Sequence, residues 1–438
     1  MKNIVKVLFL LFPALILQGQ TVKLINGPML GYSTLHEVMV WVQTSGEAEV
    51  QVAYYDSETK QKKVSAPVTA LRENAFTAHL VLDSLTEGKQ YNYEILLNGE
   101  KQSLDYPASF TAKTIWKYKT DPPPFRFVTG SGAYINETKY DRPGSSYGGK
   151  YKIFETIYQE KPDFMIWGGD NIYLRQNEWN SWTGVVHRYT HDRALAELQP
   201  LWANVHHYAI TDDHDFGPND SDGSFPFKDM TTRAFKAFWA NPPYVSGLPS
   251  ATSYFEWYDA AFFLLDNRYF RSPNHLESDH KTILGAQQLK WLKEALAASK
   301  AKFKFVVMGG QFLNSVPKFE TYTNYGFAEE RQDIIDFIHE QNIKNVIFLT
   351  GDRHYTEISI LKKRHKPDII DLTFSPFTSG PNTHALNDPN IYRVEGTVVM
   401  KRNFGLIEIS GPRKSRVMTV KSVDTGGNVL WERSFKAQ

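Results

Sequence analysis

The sequence predicts an α/β protein preceded by a small all-β domain. Residues 21–114 alternate apolar and polar side chains with a period of two and show no helical period. Beyond Pro124, short apolar runs alternate with helical ones, the pattern of strands joined by crossover helices. Three of those runs end in Gly, Asp, His or Tyr. The carboxyl edge of an open α/β sheet is where ligands usually sit.

The first segment carries no sheet signal. Lys2 and Lys6 precede an apolar stretch over residues 7–17, with small Gly19 after it. This is a signal-peptide pattern, too short for a comfortable membrane span. Cleavage near Gly19 or Gln20 is expected, giving an exported protein, periplasmic or secreted. No other segment is apolar enough to span a bilayer. The chain has no Cys, which excludes disulfides, thiolate metal sites and a Cys nucleophile. Lys and Arg number 49 against 48 Asp and Glu, so net charge offers no argument for a nucleic-acid or anionic-membrane partner.

Residues 21–114 form the expected β domain. Val38, Val40 and Val42 alternate with Met39, Trp41 and Gln43. Leu85, Gly88, Tyr91 and Tyr93 are spaced as in immunoglobulin and fibronectin III-like sandwiches, where an aromatic corner pins a turn. Residues 115–124 form a linker stiffened by three consecutive prolines, Pro122, Pro123 and Pro124. The second domain, residues 125–438, opens with a strand at 125–129, a helix at 151–158 and a strand at 164–167. A helix follows Leu284 with Leu289, Leu292 and Leu296 on one face, then a strand at 303–308, a helix at 329–341 and a strand at 346–350. Strands at 396–400, 404–409 and 416–423 close the chain.

The chemistry gathers at three strand ends: Gly169-Asp170-Asn171-Ile172-Tyr173, Asp212-Asp213-His214-Asp215 and Gly351-Asp352-Arg353-His354. Each motif alone is common. Together they describe a dinuclear hydrolase, in which two ions clamp phosphate oxygens and turn bound water into a nucleophile. Asp170 suits the bridge because it closes a rigid strand. Tyr173 and His354 are candidates for one ion, and Asp213 and Asp352 for the other. His214 is the candidate catalytic residue, donating a proton to the leaving oxygen or stabilising equatorial charge.

These three motifs, in this order, resemble the alkaline phosphatase D family of calcineurin-like metallophosphoesterases, relatives of purple acid phosphatases. The resemblance covers residues 125–380. It implies a layered β-sandwich flanked by helices, and a metal-dependent phosphoric ester hydrolase acting on a phosphorylated small molecule. Asp213-His214-Asp215 stands where many relatives have Asn-His-Glu, and Asp352-x-His354 where many have His-x-His. The polar turn after His214, with Asn219, either lines the phosphate pocket or forms an exposed loop. Arg268, in a family-like stretch, is a substrate-binding or supporting residue. Gln311 and Asn314 follow a strand where relatives place another ligand.

The first block of that family commonly reads Gly-Ser-Cys, with the thiolate on iron, but here it reads Gly130-Ser131-Gly132. Gly132 donates nothing; Asn136 or a water substitutes, or the position is empty. The remaining oxygen and imidazole donors suit Ca²⁺, Mg²⁺ or Mn²⁺, while iron stays open through Tyr173. A cysteine restored at 132 is expected to raise iron occupancy. Two other readings compete: a hydrolase of a nonphosphate ester or amide on the same scaffold, and a non-catalytic metal-binding protein with a degenerate site.

Overall fold

The computed structural model describes residues 21–278 and 280–438. The signal-peptide pattern lies outside them. No helix among the described residues is long and apolar enough to cross a membrane.

Two sheets packed face to face carry most of the molecule, and a third, of six strands, lies wholly within residues 48–111. The larger has nine strands, in the order Val429–Lys436, Val417–Asp424, Asn403–Ser410, Phe125–Gly130, Phe164–Gly168, His206–Ile210, Leu24–Ser33, Val38–Thr44 and Thr77–Leu82. The facing sheet has six: Ser253–Trp257, Ala260–Leu264, Phe303–Val307, Val346–Thr350, Ile369–Thr373 and Glu357–Leu361. The period of two in a strand decides which side chains meet. Phe164 and Ile166 point into the core between the sheets, against Phe262, Phe305 and Leu349. Met165 and Trp167 point the other way, under the helices Lys152–Gln159, Trp182–Arg193 and Lys228–Phe238. On the outer face of the six-stranded sheet, Phe263, Val306 and Phe348 pack under Gly285–Ala298 and Ala328–Glu340. The result is the expected layered sandwich with helices outside.

The N-terminal strands do not stand apart from this body. Leu24–Ser33 pairs in parallel with His206–Ile210, with Leu30 opposite His206, so the nine-stranded sheet runs across the expected domain boundary. Side chains reinforce the junction: Trp41 donates to Ala237 O at 2.9 Å and Tyr93 to Ala203 O at 2.8 Å. Tyr91 makes the aromatic corner, its hydroxyl accepting from Thr86 N at 2.8 Å. The proline segment is tied down rather than free, because Arg416 donates to Pro122 O and Pro123 O at 3.2 and 3.0 Å.

Two expectations need correction. Residues 396–400 form no strand; Gly396 turns with φ +73°, and Val399 makes only an isolated bridge to Thr356. Leu289 is half-exposed, and Gln288 takes the buried place, bonded to Thr252 and to the Asp266 backbone.

Candidate active site

The ends of Phe164–Gly168, His206–Ile210 and Val346–Thr350 meet at one edge of the sandwich. The chain must turn sharply there to offer carboxylates to a common point. Asp170, Asp352 and His354 all take left-handed backbone conformations, with φ of 51°, 63° and 55°. Each such residue costs about 1–2 kcal/mol, a concentration of strain typical of functional sites. Gly169 has φ +90°, and a Cβ on it would lie 2.5 Å from Asp212 Cβ. Only glycine lets the first turn settle on the second.

Asp170 and Asp213 are buried. Asp170 Oδ2 accepts from the Tyr173 hydroxyl at 3.0 Å, whereas its Oδ1 is buried without a partner. Asp213 Oδ2 accepts from Asp220 N at 2.7 Å, and its Oδ1 is buried without a hydrogen bond, 3.8 Å from Arg268 Nη2. Burial, and then neighbouring carboxylates led by Asp213, hold the Asp170 carboxyl well above the usual range. Asp352 is raised for the same reason, with Asp212 its leading neighbour. Carboxylates crowded in this way, with unsatisfied buried oxygens, need positive charge among them. The donors therefore fit cations.

His354 carries a neutral ring with one nitrogen engaged. Its Nδ1 lies 2.9 Å from Gly380 O and 3.0 Å from the Tyr147 hydroxyl. Donating there leaves the Nε2 lone pair free, 3.2 Å from the Tyr173 hydroxyl. Burial lowers the ring to about 4, so it is unprotonated at neutral pH. His214 is partly exposed, its ring 4.3 Å from that of Tyr173 between centroids and its Nε2 4.0 Å from Asp213 Oδ2. Ligand atoms of Asp170, Asp213 and His214 all lie within 4.8 Å of one another, so His214 is within ligand range as well as acid range.

The four remaining candidates are placed differently. Arg268 is fully buried, pairing with Asp212 and with Glu320 at 2.6 Å, while its Nη2 has no hydrogen bond and lies 3.8 Å from Asp213 Oδ1. Gln311 donates to Glu357 at 2.9 Å and Thr373 at 3.0 Å, and Asn314 donates to Gln311 at 2.7 Å. Both amides belong to an internal network. Asn219 is exposed beside Asp220.

Sequence reasoning gave no role to Asp212 and Asn267, which hold the turns together. Asn267 donates to Asp212 Oδ1 at 2.9 Å and accepts from Gly309 N at 3.2 Å. The available signal was Arg268 itself, just after an apolar run, since a buried arginine needs a carboxylate partner. A second acidic group, Glu137, Glu178 and His187, also comes within 4.8 Å. There Arg188 already pairs with both carboxylates at 2.7 Å and with Asp192 at 3.1 Å.

Comparisons with known proteins agree with this architecture. Residues 138–409 match the family model described as PhoD-like phosphatase. Residues 21–115 match a domain family of unknown function, DUF7800. Alkaline phosphatase D of Bacillus subtilis (strain 168) is 25% identical over 329 residues, which cover 64% of this chain but only 53% of that relative. The solved structure of PhoD superposes with a TM-score of 0.76 at 17% identity, covering 94% of this chain and 90% of that one. Purple acid phosphatase PPD1 from yellow lupin (Lupinus luteus) seeds gives 0.67 at 13% identity, covering 93% and 74%. At these identities the two structures show a shared fold.

Proposed function

The chain belongs to the PhoD-like phosphatase family, and from that premise we propose that it is an exported, metal-dependent phosphoesterase acting on phosphorylated small molecules. The observation that carries the reading is the pair of buried oxygens without hydrogen bonds, Asp170 Oδ1 and Asp213 Oδ1, at converging strand ends. Export rests on the charged-then-apolar pattern of residues 2–17.

Asp170, Tyr173 and His354 would hold one ion, and Asp170, Asp213 and Asp352 the other. Bound cations supply the charge that clamps phosphate oxygens and activates the attacking water. Oxygen and imidazole donors favour Ca²⁺, Mg²⁺ or Mn²⁺, with ferric iron the alternative that Tyr173 allows. The chain's own residues do the rest. Gly380 O fixes the His354 tautomer, and the buried Asp212–Arg268 pair holds the Asp213 turn in place. His214, partly exposed beside Tyr173, donates its proton to the departing alkoxide. Asn219, exposed on the adjoining turn, is available to the substrate. Arg268, Gln311 and Asn314 act by support, not by contact with substrate.

A panel of chromogenic phosphate monoesters, phosphate diesters and carboxylic esters, run before and after chelation, tests the proposal. Turnover of phosphate esters that chelation abolishes is the expected result. Turnover confined to carboxylic esters would move the chain to the second reading, and stoichiometric metal without turnover to the third.

A further inference from the structure

Ser379 is fully buried and sits where no catalytic motif of the sequence would place it. Its backbone N and that of Thr378 both donate to Gly132 O at 3.0 Å, which locks the Thr378–Ser379 turn over the end of Phe125–Gly130. Its hydroxyl lies 3.4 Å from His354 Nε2, on the ring nitrogen left free by Gly380. A Cβ on Gly132 would come within 2.8 Å of Ser379 Oγ, so this hydroxyl fills the space that any side chain at 132 would need.

The donor spacings then form a series. Asp170 Oδ2 to Tyr173 Oη is 3.0 Å, Tyr173 Oη to His354 Nε2 is 3.2 Å, and His354 Nε2 to Ser379 Oγ is 3.4 Å. Donors held about 2.1 Å from one ion stand about 3.0 Å apart at right angles and about 3.4 Å apart at tetrahedral angles. We propose that Ser379 Oγ is a fourth protein ligand of the ion held by Asp170, Tyr173 and His354, a proposal that rests on the two-ion reading above. The shell is then three oxygens and one imidazole nitrogen, a hard set without sulfur, and Ser379 is part of what selects the ion.

The test uses the absence of Cys from the chain. Ser379→Cys loaded with Co²⁺ should show a thiolate-to-cobalt charge-transfer band in the near ultraviolet, with no other thiol to produce it. Ser379→Ala should bind Mn²⁺ about tenfold or more weakly by calorimetry, given the scale that even supporting residues reach. The melting temperature of the ion-free Ser379→Ala protein should match the unaltered chain, separating ligand loss from misfolding. No charge-transfer band in a cobalt-loaded Ser379→Cys protein, with Mn²⁺ affinity unchanged in Ser379→Ala, overturns the assignment alone. An unaltered chain that binds no divalent ion overturns the two-ion reading and this proposal together.

Discussion

The Tyr173 hydroxyl donates to Oδ2 of Asp170 at 3.0 Å, while Oδ1 of the same carboxylate is buried with no partner. Oδ2 stands among the donors proposed for one ion, and Oδ1 is left for the second. Asp170→Asn is therefore expected to lose bound ions and all phosphoesterase turnover. Burial and neighbouring carboxylates disfavour the Asp170 charge in the ion-free protein, so the amide should raise the melting temperature in chelator. Added Mn²⁺ should stabilise the unaltered chain and not the variant. Calorimetry with and without ion reads both effects.

His214→Ala should lower turnover about 10²–10⁴-fold, the scale of a positioned acid, with metal content retained. Elemental analysis beside kinetics decides the role. Loss of an ion would make His214 a ligand, as its distance from Asp170 and Asp213 permits.

The pairing of Leu30 with His206 predicts how the chain tolerates cutting. Proteolysis within residues 117–124 should leave both pieces associated on size-exclusion chromatography, since one sheet and the Trp41 and Tyr93 contacts join them. Either half expressed alone should aggregate through the sheet edge thus exposed. Two soluble, separately folded halves would refute a shared sheet.

Stability should fall with acid through two buried histidines. Burial lowers His206 to about 4 and His207 to about 3. Trp167 Nε1 donates to His207 Nδ1 at 3.0 Å, and His207 Nε2 lies 3.2 Å from Leu201 O, so the neutral ring is matched on both sides. Below about 6.5 the unfolded chain takes up protons that the folded chain refuses. The stabilisation present above that pH is lost as pH falls towards the folded values, on the order of 2 kcal/mol per histidine at pH 5. Denaturant midpoints at pH 8 and pH 5 measure the loss, and His207→Asn should remove about half of the difference.

Gly132→Cys should destabilise the protein instead of raising its iron content. The backbone has φ +73°, and the new Cβ would meet Ser379 Oγ at 2.8 Å and Pro376 Cβ at 3.1 Å. A lower melting temperature is expected, partly recovered when Ser379→Gly is added. Stoichiometric iron at an unchanged melting temperature would contradict this.

Much of the site was legible because its residues announce themselves locally. Asp170, Asp213 and Asp352 each follow an apolar run and a break, and the fold brings those breaks to one edge. Side chains that act across the sequence were not legible. Asp212 and Arg268 are 56 positions apart, and Ser379 reaches His354 only because Gly132 O holds its turn. The pairing across the expected domain boundary was hidden for a related reason. A period of two marks Leu24–Ser33 as a strand but does not say that His206–Ile210 is its neighbour. Val429–Lys436 was overlooked because it is an edge strand, half-exposed along its length.

The most direct measurement titrates Mn²⁺ or Ca²⁺ into chelated protein while recording turnover of a chromogenic phosphate ester and ions bound per chain. Turnover should be absent without metal, rise with occupancy and saturate as the second ion binds, with Asp170→Asn inert throughout. Full turnover by the metal-free chain, or by metal-free Asp170→Asn, would contradict the account.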